Sequence, residues 1–378
     1  MDWHVEKKER IARAKRVIVK VGSAVIASVE GLDNQRIEHL AAQISTLHDR
    51  GLGIVLVSSG AVAAGRGVLK KSREIQGLPH KQAAAAIGQS RLMHHYDLSF
   101  AARGKVSAQV LLTREDLRSR SRFLNVRNTF AALLSWRAIP VVNENDTVAV
   151  QDLKFGDNDN LSGLLLNLTE ADLFVNLTSA PGVYSANPDK NADAFIMPCI
   201  EDIESLDLEK LCGGKTSLGS GGMYSKLLSA RRAAQIGVPT CIVPGAEPGI
   251  LLRLFDGEDA GTWVHAGKKA VSSRKFWMAY NEDVAGSVRV DAGAARALLS
   301  GGKSLLPAGI RAVDGNFGKG ALVRILGPDG EALGVGLCNY TGNELRRIMG
   351  QKLSHLSSAE NVYHEAIHRD NMLLHAAV

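Results

Sequence analysis

The sequence contains no run of about 18 consecutive apolar residues, the minimum for a transmembrane helix, so we expect no membrane-spanning segment. It has only four cysteines, and no two of them form a C-x-x-C pair. This pattern argues against a disulfide framework or a zinc site and favours free thiols in a reducing compartment. The first residues are charged and lack the apolar core of a signal peptide. We therefore expect a cytoplasmic protein with no membrane partner.

Aromatic residues are also scarce, at 5% of the 378 residues. Proteins that bind single-stranded nucleic acids stack bases on aromatic side chains, and no such surface is evident here. The formal net charge of +6 is modest for this length and permits anionic ligands without requiring nucleic acid. The hydrophobic fraction of 45% and the charged fraction of 22% are ordinary for a globular protein, and the length suggests two domains.

Short β-branched segments alternate with helical patterns over the first two thirds of the chain. This alternation predicts an α/β fold with a mainly parallel sheet covered by helices on both faces, a three-layer α/β/α sandwich. Ligands bind beyond the carboxyl ends of the strands in such sheets. Lys20, Ser59, the segment 143–146 and Thr178 all fall at predicted strand ends, so we expect them to meet at one edge.

The segment 143–146, Asn-Glu-Asn-Asp, lies between a buried strand and the helix start predicted at 157–160. Carboxylates and carboxamides at this density suit the binding of an ammonium group, a metal ion or several lysines. The alternative interpretation is an Asx-rich loop whose side chains hydrogen-bond to the local backbone.

Residues 213–226 are rich in glycine and lead into a predicted helix. Two segments resemble the end of a P-loop, at 214–216 and 302–304, but Glu209 and Ala297 stand where that motif requires glycine. The informative part is 219–222, where glycines allow the backbone to approach a ligand, followed by Lys226, which can reach phosphates.

Lys20 and Lys226 each lie near glycines, and the chain has one carboxylate-rich stretch. This combination suits phosphoryl transfer, in which a protein positions the reactants and neutralises charge; a snorkelling surface residue is the alternative for Lys20. Two converging lysines repel each other, so a carboxylate between them is needed, and Asp159 is the candidate. Carboxylates and phosphates together would bind Mg²⁺, and no residue is singled out as a metal ligand.

Five segments together resemble the amino acid kinase family. They are 20–23 (KVGS), 57–61 (VSSGA), 143–146 (NEND), 156–160 (GDNDN), and 219–223 (GSGGM) with Lys226. Further similarity lies at 86–92, 111–114 and 122–125, and residues from about 275 to 350 resemble a PUA domain. The predicted domain plan is a catalytic domain at 1–264, a linker at 265–275, a small β-rich PUA-like barrel at 276–355 and a C-terminal tail at 356–378.

The resemblance implies ATP-dependent phosphorylation of the side-chain carboxylate of L-glutamate, with Mg²⁺, as the first step of proline biosynthesis. It assigns Lys20 and Lys226 to the transferring phosphoryl group and Asp159 to their organisation. Ser59, Asp146 and Asn158 are implied to bind glutamate, Asp146 at the α-ammonium group and the other two as donors to carboxylates. The implied nucleotide-binding residues are Lys20, Thr178, Ser179, Ser220, Gly221, Gly222, Met223, Tyr224, Ser225 and Lys226. The family also implies feedback inhibition by proline and a homo-oligomer.

The chain departs from the family pattern at Ser179, where an aspartate is usual after the strand, and this affects the expected nucleotide contact. Ser58, Ser220 and Ser225 replace threonine and keep the hydroxyl group. Two alternatives remain open. One is a sister kinase acting on another carboxylate, a carbamate or a nucleotide. The other is an RNA-binding protein acting through its PUA-like domain, which the scarcity of aromatic residues makes less favoured.

Overall fold

A computed structural model describes residues 2–28, 30–70, 75–149, 157–188, 190–212, 222–267, 275, 278, 284–351 and 365–374. The chain forms two compact units, Met1–Ala270 and Val271–Val378. Most of the predicted linker lies outside the described residues. Within the described ranges, no helix combines the length and apolar character needed to cross a membrane.

The first unit is organised around an eight-stranded sheet. Its strands are β1 (Arg16–Val21), β4 (Gly53–Ser58), β5 (Ser107–Leu112), β6 (Ile139–Glu144), β7 (Leu173–Thr178), β10 (Cys199–Ile200), β11 (Thr240–Pro244) and β12 (Thr262–Val264). Two small hairpins pair β2 (Ala27–Ser28) with β3 (Gly31–Leu32) and β8 (Val183–Tyr184) with β9 (Ile196–Met197). The order in the large sheet is β10-β12-β11-β7-β1-β4-β6-β5. Its pairs are parallel except β11 with β12.

Helices cover both faces of this sheet. They are α1 (Trp3–Arg13), α2 (Ser23–Ile26), α3 (Asn34–Asp49), α4 (Ala61–Leu69), α5 (Leu78–Ala101), α6 (Arg114–Arg118), α7 (Arg120–Ser135), α8 (Asp157–Thr169), α9 (Leu208–Leu211), α10 (Met223–Gln235) and α11 (Ile250–Phe255). Val17, Val19 and Val21 of β1 pack in one apolar cluster with α3, α5 and α11. Ile18 packs on the other face with α7, α8 and α10. The three-layer sandwich with a mainly parallel sheet is confirmed.

The charged sequence of the N-terminal segment predicts an exposed helix, but one face of α1 is buried. Ile11 enters the apolar cluster, and Lys7 is only 2% exposed. The Lys7 ammonium donates to the carbonyl of Glu258 at 3.0 Å and to the carboxylate of Asp259 at 2.8 Å. These partners explain how a lysine can be buried there.

Helices α4 and α5 cross at glycines, and this contact sets one wall of the sheet's functional edge. A side chain at Gly65 would place its Cβ 1.9 Å from the carbonyl oxygen of Ala84. At Gly88 the Cβ would lie 1.8 Å from the carbonyl oxygen of Ala61. Only glycine therefore permits the two backbones to approach so closely.

The second unit contains a separate, mostly antiparallel sheet. Its strands are β13 (Gly286–Val290), β14 (Ile310–Asp314), β15 (Leu322–Leu326), β16 (Ala332–Leu337) and β17 (Met372–Leu374), in the order β14-β13-β15-β16-β17. Only β13 and β15 pair in parallel. Helices α12 (Ala292–Gly301) and α13 (Gly342–Ile348) accompany the sheet, with 3₁₀ turns at Pro307–Gly309 and Arg369–Asn371. A separate β-rich domain is confirmed, and the segment predicted as a tail supplies its strand β17.

Replacing Gly88 by alanine is expected to lower the free energy of unfolding by roughly 2 kcal/mol, because the new methyl group overlaps the α4 backbone. The matched control is Gly163→Ala in α8, where the nearest neighbour of the new Cβ is the Arg232 side chain at 3.4 Å. That substitution should be neutral or stabilise by up to about 1 kcal/mol through helix propensity. Denaturant unfolding followed by circular dichroism measures both. Equal stabilities for the two variants would contradict the crossing.

Candidate active site

A cavity of about 320 Å³ opens at the carboxyl ends of β7, β1, β4 and β6, which are neighbours in the sheet. The predicted site residues that line it are Lys20, Ser59, Asp146, Asn158, Asp159, Thr178, Ser179 and Lys226. Gly222, the N-cap of α10, and Met223, Tyr224 and Ser225 in its first turn immediately precede Lys226. Ser220 and Gly221 lie outside the described residues. The structure thus brings the predicted catalytic and acceptor-binding residues together, while their roles remain predictions.

The centre of the cavity is a buried carboxylate between two ammonium groups. Asp159, in the first turn of α8, has no exposed surface, and Lys20 of β1 and Lys226 of α10 are 3% and 5% exposed. The Lys20 ammonium contacts Oδ1 of Asp159, and the Lys226 Nζ lies 3.6 Å from Oδ2. Three separate elements therefore converge on one carboxylate.

Two neutral side chains complete the surroundings of Asp159. The Ser225 hydroxyl donates to Oδ2 at 2.6 Å, and the Asn176 amide donates to Oδ1 at 3.4 Å. Asn176 belongs to β7, the neighbour of β1, so the sheet itself supplies this donor. Each Asp159 oxygen is thereby held by one ammonium and one neutral donor.

At this centre, burial and the neighbouring charges have opposite effects on the pKa of Asp159. Burial disfavours the charged form of Asp159, but the ammonium groups of Lys20 and Lys226 outweigh it and hold the pKa of the carboxyl below its usual value. Burial lowers the pKa of Lys226 to about 8, against the attraction of Asp159 and with the repulsion of Lys20. An incoming anion would stabilise the charged form of Lys226 further, so the centre is electrostatically suited to phosphates.

A chain of carboxamides runs beside this centre. Asn143 donates from Nδ2 to Oε1 of Gln89 at 2.8 Å, and Asn158 donates from Nδ2 to Oδ1 of Asn143 at 2.9 Å. The Asn158 Nδ2 also donates to the Ser59 hydroxyl at 2.9 Å. The backbone N–H of Glu144 donates to the same Asn143 oxygen at 2.9 Å. Because a backbone N–H can only donate, it fixes which atom of Asn143 is oxygen and so orients the whole chain.

This orientation leaves the Asn158 side chain as an acceptor. Its amide nitrogen is used by Ser59 and Asn143, and its Oδ1 is buried with no hydrogen-bond partner among the described residues. The sequence-based expectation was that Asn158 donates to a carboxylate. The geometry instead presents an oxygen that can accept from an ammonium group.

The wall on the β4 and β6 side carries four charged side chains, one of which is Glu144 at the end of β6. Asp146 follows β6, Arg66 lies on α4 and Lys81 lies on α5. Burial raises the pKa of Asp146 to about 6. The loop that carries Asp146 is tied to α5 by Gln82, whose amide donates to the carbonyl of Ala149 at 3.1 Å. A buried hydrogen bond of 2.9 Å between Tyr96 and Ser58 joins α5 to the end of β4.

Sequence reasoning did not select Arg66, Lys81 or Gln89 as site residues. Arg66 and Lys81 lie in segments whose composition indicated only helices, and Gln89 lay inside a stretch noted for its similarity to the family. The close crossing of α4 and α5 directs this helical surface to the cavity, and the glycines at that crossing were the available signal.

The β7 side offers hydroxyls and backbone groups. Thr178 ends β7, and its carbonyl accepts from the N–H of Gly245 at 2.7 Å, which ties the loops after β7 and β11 together. Ser179 follows and lines the cavity. Helix α10 begins at Met223, so its N-terminal turn and its dipole lie beside Lys226. This side of the cavity is suited to phosphates.

No group of three or more His, Cys, Asp and Glu side chains within the described ranges is arranged to hold a metal ion. Mg²⁺ commonly takes one or two carboxylates together with substrate phosphates and water. Both oxygens of Asp159 are already held by the two lysines and their neutral donors, so no side chain among the described residues is singled out as a ligand for it.

Comparison with known proteins gives two family matches and a set of close relatives. Residues 15–244 match the amino acid kinase family, and residues 286–357 match the PUA domain. A glutamate 5-kinase from Oleidesulfovibrio alaskensis is 60% identical over 380 residues, covering 100% of both chains. One from Nitratidesulfovibrio vulgaris has the same identity and coverage. One from Geobacter sulfurreducens is 44% identical over 96% of this chain and 98% of its own.

Replacing Asp159 by asparagine is expected to lower the free energy of unfolding by roughly 3–5 kcal/mol at neutral pH, because two buried ammonium groups lose their counter-charge. Ser225→Ala is the matched control, since it removes one hydrogen bond to the same carboxylate and should cost about 1 kcal/mol. Denaturant titration of both variants measures the difference. A loss for Asp159→Asn no larger than that for Ser225→Ala would show that the carboxylate does not hold the lysines.

Proposed function

Because the chain belongs to the amino acid kinase family, we propose that it transfers the γ-phosphoryl group of ATP to the γ-carboxylate of L-glutamate, the first step of proline biosynthesis. The observation that carries this proposal is the buried Lys20–Asp159–Lys226 centre at the carboxyl edge of the sheet. The relatives at 60% identity over the whole chain are named glutamate 5-kinases, which favours L-glutamate over the acceptor of a sister kinase.

The reaction needs charge neutralisation more than proton transfer. A glutamate carboxylate has an ordinary pKa of about 4.3, so at neutral pH the acceptor is already an anionic nucleophile and requires no general base. One carboxylate oxygen forms a bond to the γ-phosphorus while the bond to the bridging oxygen of ADP breaks. The products are an acyl phosphate and ADP, and no proton is lost from the nucleophile.

Lys20 and Lys226 are proposed to stabilise the transferring group. Two anions must approach each other, and charge spreads over the equatorial oxygens of the phosphoryl group in the transition state. Ammonium groups held in place in a buried site lower that barrier without reorganising. Asp159 keeps the two lysines at a fixed separation in spite of their mutual repulsion.

The nucleotide is proposed to lie on the β7 and α10 side. Thr178 and Ser179 follow β7, and Gly222, Met223, Tyr224 and Ser225 lead to Lys226. Ser220 and Gly221 are assigned to the same site by resemblance. Ser179 is neutral where the family usually has a carboxylate, so its hydroxyl offers a hydrogen bond without adding negative charge near the phosphates.

Mg²⁺ is proposed to enter with ATP, and when bound it neutralises phosphate charge. Asp159 is the central carboxylate beside which the complex of Mg²⁺ and ATP would lie.

We further propose that the protein is a cytoplasmic homo-oligomer and that proline inhibits it. Its four cysteines are free thiols, which fits a reducing compartment.

The decisive assay traps the acyl phosphate. Protein, ATP, Mg²⁺ and hydroxylamine should yield a hydroxamate, which is coloured with iron(III), when L-glutamate is the acceptor. L-Aspartate and N-acetyl-L-glutamate should give none. Hydroxamate formation from another acceptor but not from L-glutamate would transfer the proposal to a sister kinase. Absence of hydroxamate with every acceptor would overturn it.

Asp146 is proposed to bind the α-ammonium group of glutamate together with Oδ1 of Asn158. The carboxylate must be ionised for this, and its pKa is raised to about 6. The kcat/KM for glutamate should therefore fall as the pH decreases through about 6, since the protonated fraction grows. Asp146→Asn should remove this pH limb and raise the KM for glutamate on the order of tenfold or more, with the KM for ATP unchanged. A selective loss of ATP affinity would contradict the assignment.

A further inference from the structure

The cavity wall formed by α4 and α5 carries two cations whose purpose the phosphoryl-transfer centre does not explain. Arg66 and Lys81 both line the cavity and are half-buried. The Nε of Arg66 is buried and has no hydrogen-bond partner among the described residues. No ion pair within the described ranges involves either side chain, although both belong to a cavity that also contains carboxylates. Half-buried cations without an ion pair are unfavourable, so a bound anion would stabilise them.

The position of these cations separates them from the nucleotide side. The sheet order is β7-β1-β4-β6 across the cavity, with Thr178 at the end of β7 and Lys20 on β1. Arg66 and Lys81 lie on α4 and α5, which follow β4 in the chain, and Gln82 ties α5 to the loop after β6. An anion that reaches them while its other end reacts at Lys20 must belong to the acceptor.

Asp146 shares this wall without being paired to either cation. The contact of Gln82 with Ala149 fixes its loop against α5, beside Lys81. A buried acceptor oxygen of Asn158 completes the set. Within the described ranges, two cations and one carboxylate have no ion pair, and one amide oxygen has no hydrogen-bond partner. Together they complement a group that carries both a carboxylate and an ammonium.

We propose that Arg66 and Lys81 bind the α-carboxylate of the acceptor and so determine its specificity. This inference rests on the proposed function and extends it. The α-ammonium group lies at Asp146 and Asn158, the α-carboxylate at Arg66 and Lys81, and the γ-carboxylate extends toward Lys20. The guanidinium of Arg66 offers the planar pair of donors that suits a carboxylate, and Lys81 adds a point charge.

The test compares acceptors that differ by one group. L-Glutamate α-amide keeps the γ-carboxylate and the ammonium but has a neutral α-carboxamide, and glutarate lacks only the ammonium. Wild-type protein should prefer L-glutamate to the α-amide in kcat/KM on the order of 100-fold, as expected for hydrogen bonds between charged groups. In Arg66→Met and Lys81→Met this preference should fall at least fivefold, because kcat/KM for L-glutamate decreases while that for the α-amide changes little.

Three controls separate this role from a general loss of structure. Arg91→Met removes an exposed cation from the same helix α5 and should leave the preference unchanged. Lys81→Arg keeps the charge and should retain most of the preference. Asp146→Asn should lose discrimination against glutarate while keeping discrimination against the α-amide. The KM for ATP should stay constant in the Arg66 and Lys81 variants.

Failure of this inference can be distinguished from failure of the proposed function, because the two are tested by different measurements. Turnover of L-glutamate by wild-type protein tests the reaction, whereas the ratio between L-glutamate and its α-amide tests the assignment of the cations. Equal losses on both acceptors in Arg66→Met and Lys81→Met, with wild-type turnover intact, would overturn this inference alone. Absence of any preference in the wild-type protein would overturn it as well.

Discussion

The structure of the catalytic unit depends on one constraint, the burial of Asp159 between two lysines. A carboxylate with no exposed surface is unfavourable unless ammonium groups and hydrogen bonds compensate it, and here the central strand β1, the helix α10 and the neighbouring strand β7 supply them. The ends of β1 and β7 and the starts of α8 and α10 must therefore occupy fixed positions. Fold stability and catalytic geometry are satisfied by the same contacts.

A second constraint is steric rather than electrostatic. The backbones of α4 and α5 approach so closely at Gly65 and Gly88 that no side chain fits between them. The resulting wall is anchored to the sheet by Tyr96 and to the loop after β6 by Gln82. The packing of α4 against α5 thus determines where the cations on these helices face, which links core geometry to the proposed recognition of the acceptor.

The sequence predicted the sheet and the centre because both leave local signals. β-Branched runs identified the strands, and Lys20, Ser59 and Thr178 lie at or near their ends. Because the carboxyl ends of parallel strands meet at one edge, the fold class alone predicted that these residues lie together. Arg66, Lys81 and Gln89 left no such signal, because which face of a helix meets a cavity depends on tertiary packing. The buried face of α1 was missed for the same reason, since the partners of Lys7 lie about 250 residues away. The orientation of Asn158 depends on a backbone donor of Glu144, which no residue pattern reveals.

The centre of the cavity and the wall formed by α4 and α5 differ in whether their charged side chains are already paired. At the centre, Lys20 and Lys226 already face Asp159, so their positions are fixed before any substrate binds. On the wall formed by α4, α5 and the loop after β6, three charged side chains line the cavity without ion pairs among the described residues. They are Arg66, Lys81 and Asp146. An amino acid would pair its carboxylate with the two cations and its ammonium group with the carboxylate of Asp146. A molecule that lacks either group would leave a charged side chain of the protein without a partner. Discrimination of that kind is strong because the penalty falls on the protein's own unpaired group. In the proposed function, preorganised charge accelerates transfer, and uncompensated charge selects the acceptor.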